Sequence, residues 1–331
     1  MVLTFILISR NNPFNLKITE HLAKAKNPLI SYEIIPPPRG GDIQQLFKIV
    51  DELIKYDPPF IDVTSHAAEV QYEETPEGIK KKVKRKRPGT IGISVAIKNK
   101  YNIDTVPHIL CQGFTKEETE DALIELNYLG IENILAIRGD DNGYKKPLPE
   151  GRSSNRTTIE LVDQIVCMNK GKYLEEDLLD AAKTNFCIGV SGYPEKHFEA
   201  PNLQSDIQFA KEKIDAGADY IVTQMFYDNK YYFDFVKKCR AEGINVPIIP
   251  GLKIITNKKH ISTLPKAFHL DIPEELSTNI LEAKNEHVLD IGVKWTLKQC
   301  EDLINNGAPA IHLYIMQYVK PIQKLMEHLK L

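Results

Sequence analysis

The sequence predicts a single α/β domain built as a (β/α)8 TIM barrel, with an extra N-terminal segment and inserted loop helices. Three observations predict it. Eight short apolar, strand-like runs recur along the 331 residues. Amphipathic helical patterns separate them, and that alternation argues for parallel strand pairing. No Ser/Gly linker or low-complexity tract divides the chain, so the strands suit one closed barrel better than an open doubly wound sheet.

Taken in order, the opening "MVLTFILISRNN" is apolar but carries no basic leader and no small-residue cleavage site, and it is too short to span a bilayer. Residues 1–28 are expected to form an N-terminal extension and helix, and 29–331 the barrel. Strands are expected at 29–35, 60–64, 106–111, 133–138, 186–190, 220–226, 247–251 and 310–314. In "TKEETEDALIELNYLG", Thr115 is the expected N-cap and Gly130 closes the helix. "LQSDIQFAKEKIDAGADYIV" repeats the theme, with a helix ending near Ala216-Gly217. "TIGISVAIKNKY" is β-rich in composition, yet a parallel crossover asks for a helix there. The stretch 141–185 is too long for one loop and one helix, so a loop and two helices are expected above the barrel mouth.

Composition narrows the function classes. With 42% hydrophobic and 26% charged residues and a net charge of −3, the chain has no overall basic field for nucleic acid or acidic membranes. The five cysteines include no CxxC pair, which fits a reducing compartment and opposes a zinc site. No other apolar run reaches spanning length, so a cytoplasmic location is expected. The basic run "KKKVKRKR" at 80–87 reads as a solvated helix end or loop. A bolder reading makes it an attractor for a polyanionic ligand.

In barrels of this kind the working residues gather at the C-terminal ends of the strands. Here those ends carry Glu33, Thr64, His108, Arg138-Gly139-Asp140, Tyr193 and Gln224. Glu33 is the odd one, a carboxylate set among Ile30, Tyr32, Ile34 and Ile35 in "ISYEIIPPPRG". Glutamate is seldom buried unless paired or used. An acid beside Arg138 also reads as a salt-bridge partner, and His108 as a satisfied core histidine.

The segments "SYEIIPPP", "FIDVTSHAAE", "TVPHILCQG", "ILAIRGD", "SGYPEKHFEA", "AGADYIVTQMFYD" and "VPIIPGL" occur in that order. Together they resemble the methylenetetrahydrofolate reductase family, flavin-dependent enzymes of one-carbon metabolism, from about Ile30 to near the C-terminus. The resemblance implies FAD at the barrel mouth, with NADH or NADPH as reductant and 5,10-methylenetetrahydrofolate as substrate. It implies that Glu33 is the general acid for the departing N-10 amine, because a partly desolvated carboxyl favours its protonated form. It implies that Asp140, near the flavin and the folate, lowers the flavin potential and stabilises a cationic iminium; an N-cap role after strand four is compatible with this.

By position in the matched motifs, Thr64, Ser65, Ala67, His108, Arg138, Gly139, Asp140, Tyr193, His197, Ala200, Asp206 and Lys213 are implied flavin-site residues. Arg138 and Lys213 are placed to meet phosphates, and Asp206 to meet a ribose hydroxyl or Lys213. Gln224 and Thr64 are implied on the substrate side, Gln224 as the pterin contact. No metal is implied, and no GxGxxG turn is present or needed. Self-association is implied as a homo-oligomer. The charge balance leaves nucleic-acid and membrane partners unexpected. The chain ends soon after strand eight, so a C-terminal regulatory domain and inhibition by S-adenosylmethionine are not expected.

The sequence departs from the best-known bacterial pattern at several positions. Lys258 stands near an expected aromatic, Tyr318 at an expected basic residue, Glu212 at an expected arginine, Phe209 at an expected asparagine and Thr157 at an expected tyrosine. Two other function classes remain open on residues alone. One is a barrel lyase or hydrolase that uses Glu33 and His108 without flavin. The other is a catalytically silent barrel that binds partners through its basic run.

Overall fold

A computed structural model describes residues 15–139 and 145–330. The chain runs α1 (Ile18–Lys24), β1 (Leu29–Ile34), α2 (Ile43–Leu53), β2 (Phe60–Val63), β3 (Glu69–Thr75), β4 (Gly78–Lys84), α3 (Ile91–Tyr101) and β5 (Asp104–Leu110). It continues α4 (Lys116–Tyr128), β6 (Asn133–Ile137), α5 (Thr158–Asn169), β7 (Cys187–Gly192), α6 (Leu203–Asp215), β8 (Tyr220–Thr223) and α7 (Asn229–Ala241). Then come β9 (Ile248–Ile249), β10 (Gly251–Leu252), α8 (His260–Phe268), α9 (Glu274–Glu282), α10 (Val288–Asn305), β11 (Ala310–Met316) and α11 (Lys320–Met326).

The parallel sheet has the order β10-β11-β1-β2-β5-β6-β7-β8-β9. β9 pairs with β8 and β10 with β11. These two short pieces are halves of one strand interrupted at Pro250, which lacks the N–H a ladder needs. The sheet therefore closes on itself as an eight-stranded barrel with strand seven broken. Helix positions follow from side-chain spacing. In α2, Leu46, Val50 and Leu53 are buried on one face and Asp42 caps the first turn by accepting the Gln44 N–H. The expected cap of α4 is a capping box in which Thr115 and Glu118 bond reciprocally. The β-rich segment 91–101 is indeed helical, because Ile93 and Ile97 pack on the outside of the barrel.

Two cores result. The outer one lies between sheet and helices and includes Ile30, Tyr32, Ile34, Ile61 and Val63. The inner one holds Phe60, Val106, Leu135, Cys187, Tyr220, Val222, Ile249 and Ala310, with Ile18 of α1 fully buried beneath them. α1 thus plugs the N-terminal end of the barrel. Asn133 fixes it by accepting the Ile18 N–H (2.9 Å) and donating to the Leu16 carbonyl (2.8 Å). Asp104 accepts the Leu16 N–H (3.0 Å) and contacts His21 (2.8 Å).

Two expectations are corrected. Among the described residues, the stretch 145–185 holds one helix, α5, and not two; 170–186 runs back to β7 without regular structure, tied by Asn169 to Thr184 and to the Phe186 N–H. The basic run is mostly strand, 80–84, and only 85–87 is loop. It forms β4 of an antiparallel ribbon in which Glu69, Gln71 and Glu73 of β3 face Lys84, Lys82 and Lys80. Cross-strand neighbours of opposite charge accompany the strand, which the run of like charges alone did not suggest. Among the described residues, no helix is long and apolar enough to cross a membrane.

Candidate active site

The strand period of two decides which residues enter the barrel. Ile30, Tyr32 and Ile34 turn outward to the helices, so Ser31 and Glu33 turn inward. Glu33 lies opposite Tyr314 of β11 and Asp62 of β2. Its side chain is 13% exposed. Desolvation pushes the carboxyl up to about 7, nearby Asp62 adds to the rise, and His108 and Lys253 oppose it. A carboxyl in this state is substantially protonated at neutral pH.

Three buried polar groups sit below and beside it. His108 Nε2 is 3.7 Å from Glu33 Oε2 and 3.4 Å from Asp62 Oδ2. Burial holds His108 below its ordinary value, so the imidazole is neutral. Asp62, 1% exposed, is pushed up to about 7 by desolvation. His312 Nδ1 meets the Ser31 hydroxyl at 2.8 Å. Tyr314 donates its hydroxyl to the Thr223 carbonyl (2.6 Å), and its ring crosses Gly251, where an added Cβ would stand 2.6 Å from it.

A second cluster forms on the other side of the mouth. Arg138 Nη1 binds Glu199 Oε2 at 2.6 Å, and the Tyr193 and His197 rings meet edge-on at 4.6 Å. The Arg138 charge acts on His197, and so do the charges of Asp206 and Lys213. Asp206 accepts the His197 N–H (2.8 Å), and the Lys213 ammonium donates to the Ser191 carbonyl (2.6 Å). Ala200 closes the turn by donating its N–H to the His197 carbonyl and accepting from Lys196. Gly139 has φ +89°, a conformation that favours glycine. Thr64 hangs its N–H on the Ile34 carbonyl, while its buried hydroxyl has no partner among the described residues. Ser65 and Ala67 follow in the same loop, with Ala67 against Gly113. Gln224 accepts the Met225 N–H (2.9 Å), which fixes the orientation of its amide. Asp140 lies outside the described residues.

The two clusters bring Glu33, His108, Arg138, Tyr193, His197, Asp206 and Lys213 to one rim. Both Asp206 and Lys213 reach the 191–200 loop, Asp206 through the His197 N–H and Lys213 through the Ser191 carbonyl. The divergent positions fall elsewhere. Thr157 caps α5, and Lys258 donates to the Leu281 carbonyl at the end of α9 (2.7 Å). Phe209 and Tyr318 are half exposed, and Glu212 lies on α6. The cation that reaches Glu33 after strand seven is Lys253, held below its ordinary value by burial. Sequence reasoning missed Lys253, Asp62 and His312. Alternation could have found the last two, since Asp62 follows Phe60 by two positions and His312 follows Ala310 by two.

The rim suits a dinucleotide. It offers an unpartnered hydroxyl at Thr64, a left-handed glycine beside Arg138, and a mixed cationic cluster rather than metal ligands; no group of side chains among the described residues suits a metal ion.

The methylenetetrahydrofolate reductase family profile matches residues 17–330. The chain belongs to that family. Methylenetetrahydrofolate reductase 1 of Schizosaccharomyces pombe is 33% identical over 307 residues, covering 91% of this chain and 46% of the relative. Methylenetetrahydrofolate reductase (NADH) 1 of Arabidopsis thaliana is 31% identical, covering 88% and 46%. The 5,10-methylenetetrahydrofolate reductase of Salmonella typhimurium is 27% identical and covers 90% of each chain. This methylenetetrahydrofolate reductase family member thus spans about half the length of the eukaryotic relatives and nearly all of the bacterial one. In fold, it is similar to oxaloacetate acetylhydrolase, with a TM-score of 0.51 at 8% identity over 96% of this chain and 86% of that one. That likeness supports the barrel and nothing about chemistry.

Proposed function

We propose that the protein reduces 5,10-methylenetetrahydrofolate to 5-methyltetrahydrofolate with NADH or NADPH, using FAD held at the barrel mouth. One observation carries the reading: a glutamate on a family-matched strand sits at the mouth of the barrel, where burial raises its carboxyl to about 7. Opening the imidazolidine ring leaves an amine that must take a proton. Glu33 supplies it. FAD, when bound, carries hydride from nicotinamide to the folate.

The chain's own residues do the rest. Thr64, Ser65, Ala67, His108, Arg138, Gly139, Tyr193, His197, Ala200, Asp206 and Lys213 line the cofactor's seat. Gln224 binds the pterin edge through its amide. Asp140 supplies the negative charge beside the reacting rings, on the strength of the "RGD" motif alone. The same reading takes the protein to be a cytoplasmic homo-oligomer.

Purified protein tests the reading directly. A yellow preparation, or one that turns yellow with FAD, should bleach with NADH or NADPH and recover its colour with methylenetetrahydrofolate. A colourless protein that cannot be reconstituted would overturn it in favour of a non-flavin lyase or hydrolase.

A further inference from the structure

Four buried polar atoms near the middle of the barrel have no hydrogen-bond partner among the described residues: Asp62 Oδ1, His108 Nε2, His312 Nε2 and Tyr220 Oη. Asp62 is common to all of them. Its Oδ2 is 3.4 Å from His108 Nε2, and its charge acts on His312, Tyr220 and Tyr314. Buried polar groups are nearly always paired, so an unpaired set this close to the reacting acid needs a reason. The same His108 nitrogen that faces Asp62 lies 3.7 Å from Glu33 Oε2. One imidazole nitrogen therefore stands between two carboxyls. Beneath them, the apolar layer of Phe60, Val106, Leu135 and Ile249, closed by Ile18, shuts the lower end of the barrel.

We propose that Asp62 is a positioning residue that shares a proton with Glu33 through His108 and recharges the acid within each turnover. The proposal rests on the folate-reduction reading. When Glu33 protonates the departing amine, its O–H bond breaks, a new N–H bond forms, and a carboxylate remains under the bound substrate. The proton of the Asp62 carboxyl then passes to His108 Nε2 and from there to Glu33. Asp62 ends ionised, His108 neutral and Glu33 protonated. Solvent restores one proton when the mouth empties, matching the one proton consumed for each hydride delivered from nicotinamide to folate.

Two carboxyls sharing one nitrogen resist ionising together and titrate as a pair. The groups that face the pair are His108, His312, Lys253, Tyr220 and Tyr314. Cationic Lys253 favours an ionised Glu33, and His312 favours an ionised Asp62. The ionised form of either acid raises the other.

Carbon-13 NMR of the oxidised holoenzyme, labelled at Asp Cγ and Glu Cδ, reads this without turnover. Asp62→Asn and Glu33→Gln assign the two signals. Both carboxyls of the wild type should titrate in two steps, each step of one mirrored in the other, and Asp62→Asn should leave Glu33 with a single step at lower pH. In stopped-flow half-reactions, Asp62→Asn should slow folate reduction about tenfold on the alkaline side and little on the acid side, for a shift of about one pH unit. Flavin reduction by nicotinamide should keep its rate. An Asp62 ionised throughout from about pH 5 upward, or a Glu33 curve indifferent to Asp62→Asn, overturns the shared proton. The wild-type titration needs no variant to fold. Coupled titration in a protein that does not reduce methylenetetrahydrofolate overturns the functional reading and the recharging step together, whereas uncoupled titration in an active enzyme overturns the recharging step alone.

Discussion

At the scale of single residues, burial sets the chemistry of Glu33. Desolvation raises its carboxyl to about 7, against Lys253 and His108, which pull it down. If Glu33 is the general acid, as proposed, it is fully armed below that value and loses its proton as pH rises through it. The folate half-reaction should therefore hold its rate on the acid side and fall about tenfold per pH unit above about 7, while flavin reduction shows no such limb. Glu33→Gln should cut folate reduction by roughly 10²–10⁴ and abolish the limb, with flavin reduction retained. Equal loss of both half-reactions would make Glu33 structural. Gln224 gives a second test. Gln224→Leu keeps a similar volume but strands polar groups of a pterin edge, and should weaken folate by roughly 1–3 kcal/mol. Nicotinamide should suffer less; an unchanged folate affinity would remove Gln224 from the substrate site.

At the scale of elements, α1 and the β3–β4 ribbon add to the barrel at opposite ends. α1 seals the bottom, and Asn133 holds it with two hydrogen bonds to backbone. Asn133→Ala should destabilise the protein by about 1–3 kcal/mol, since it leaves a buried N–H and carbonyl unpaired. Urea unfolding with an unchanged slope is the measurement, and a midpoint equal to wild type would show that Ile18 and the Asp104 contacts hold α1 without Asn133. The ribbon rises between β2 and α3 and is anchored where Arg87 meets the Pro36 carbonyl and Arg85 lies over the Phe114 ring at 5.7 Å. Its lysines are exposed and partly paired with β3 glutamates. Replacing Lys80, Lys81, Lys82 and Lys84 by Gln should barely change stability, because such surface pairs contribute about 0–1 kcal/mol. If the ribbon steers polyanionic folates, the same variant should lose preference for polyglutamate over monoglutamate substrate, and an unaltered preference ends that idea.

At the scale of the molecule, one closed barrel has one mouth, and both clusters of polar residues open onto it. In the proposed reaction the two substrates should therefore use the flavin in turn, giving parallel lines in double-reciprocal plots; intersecting lines would require both bound at once. Closure itself depends on strand seven, where a Cβ at Gly251 would stand 2.3 Å from the Thr223 carbonyl oxygen. Gly251→Ala should open the seam between β10 and β11 and lower the thermal midpoint more than any rim substitution.

Hydrophobic period and strand–helix alternation are local properties, and they were enough to predict eight strands, the Thr115 cap and Glu33 at the C-terminal end of the first strand. Motif order was enough to reveal the family. Local properties could not say that Pro250 splits strand seven, that lysines 80–84 pair across a ribbon, or that the 170–186 stretch needs no second helix, because each depends on partners distant in sequence. The buried set of Asp62, His108 and His312 depended on tertiary structure in the same way. Each residue reads alone as an ordinary polar side chain in a strand. Only barrel closure, which brings β1, β2, β5 and β11 around one axis and excludes water from it, turns them into a coupled acid site.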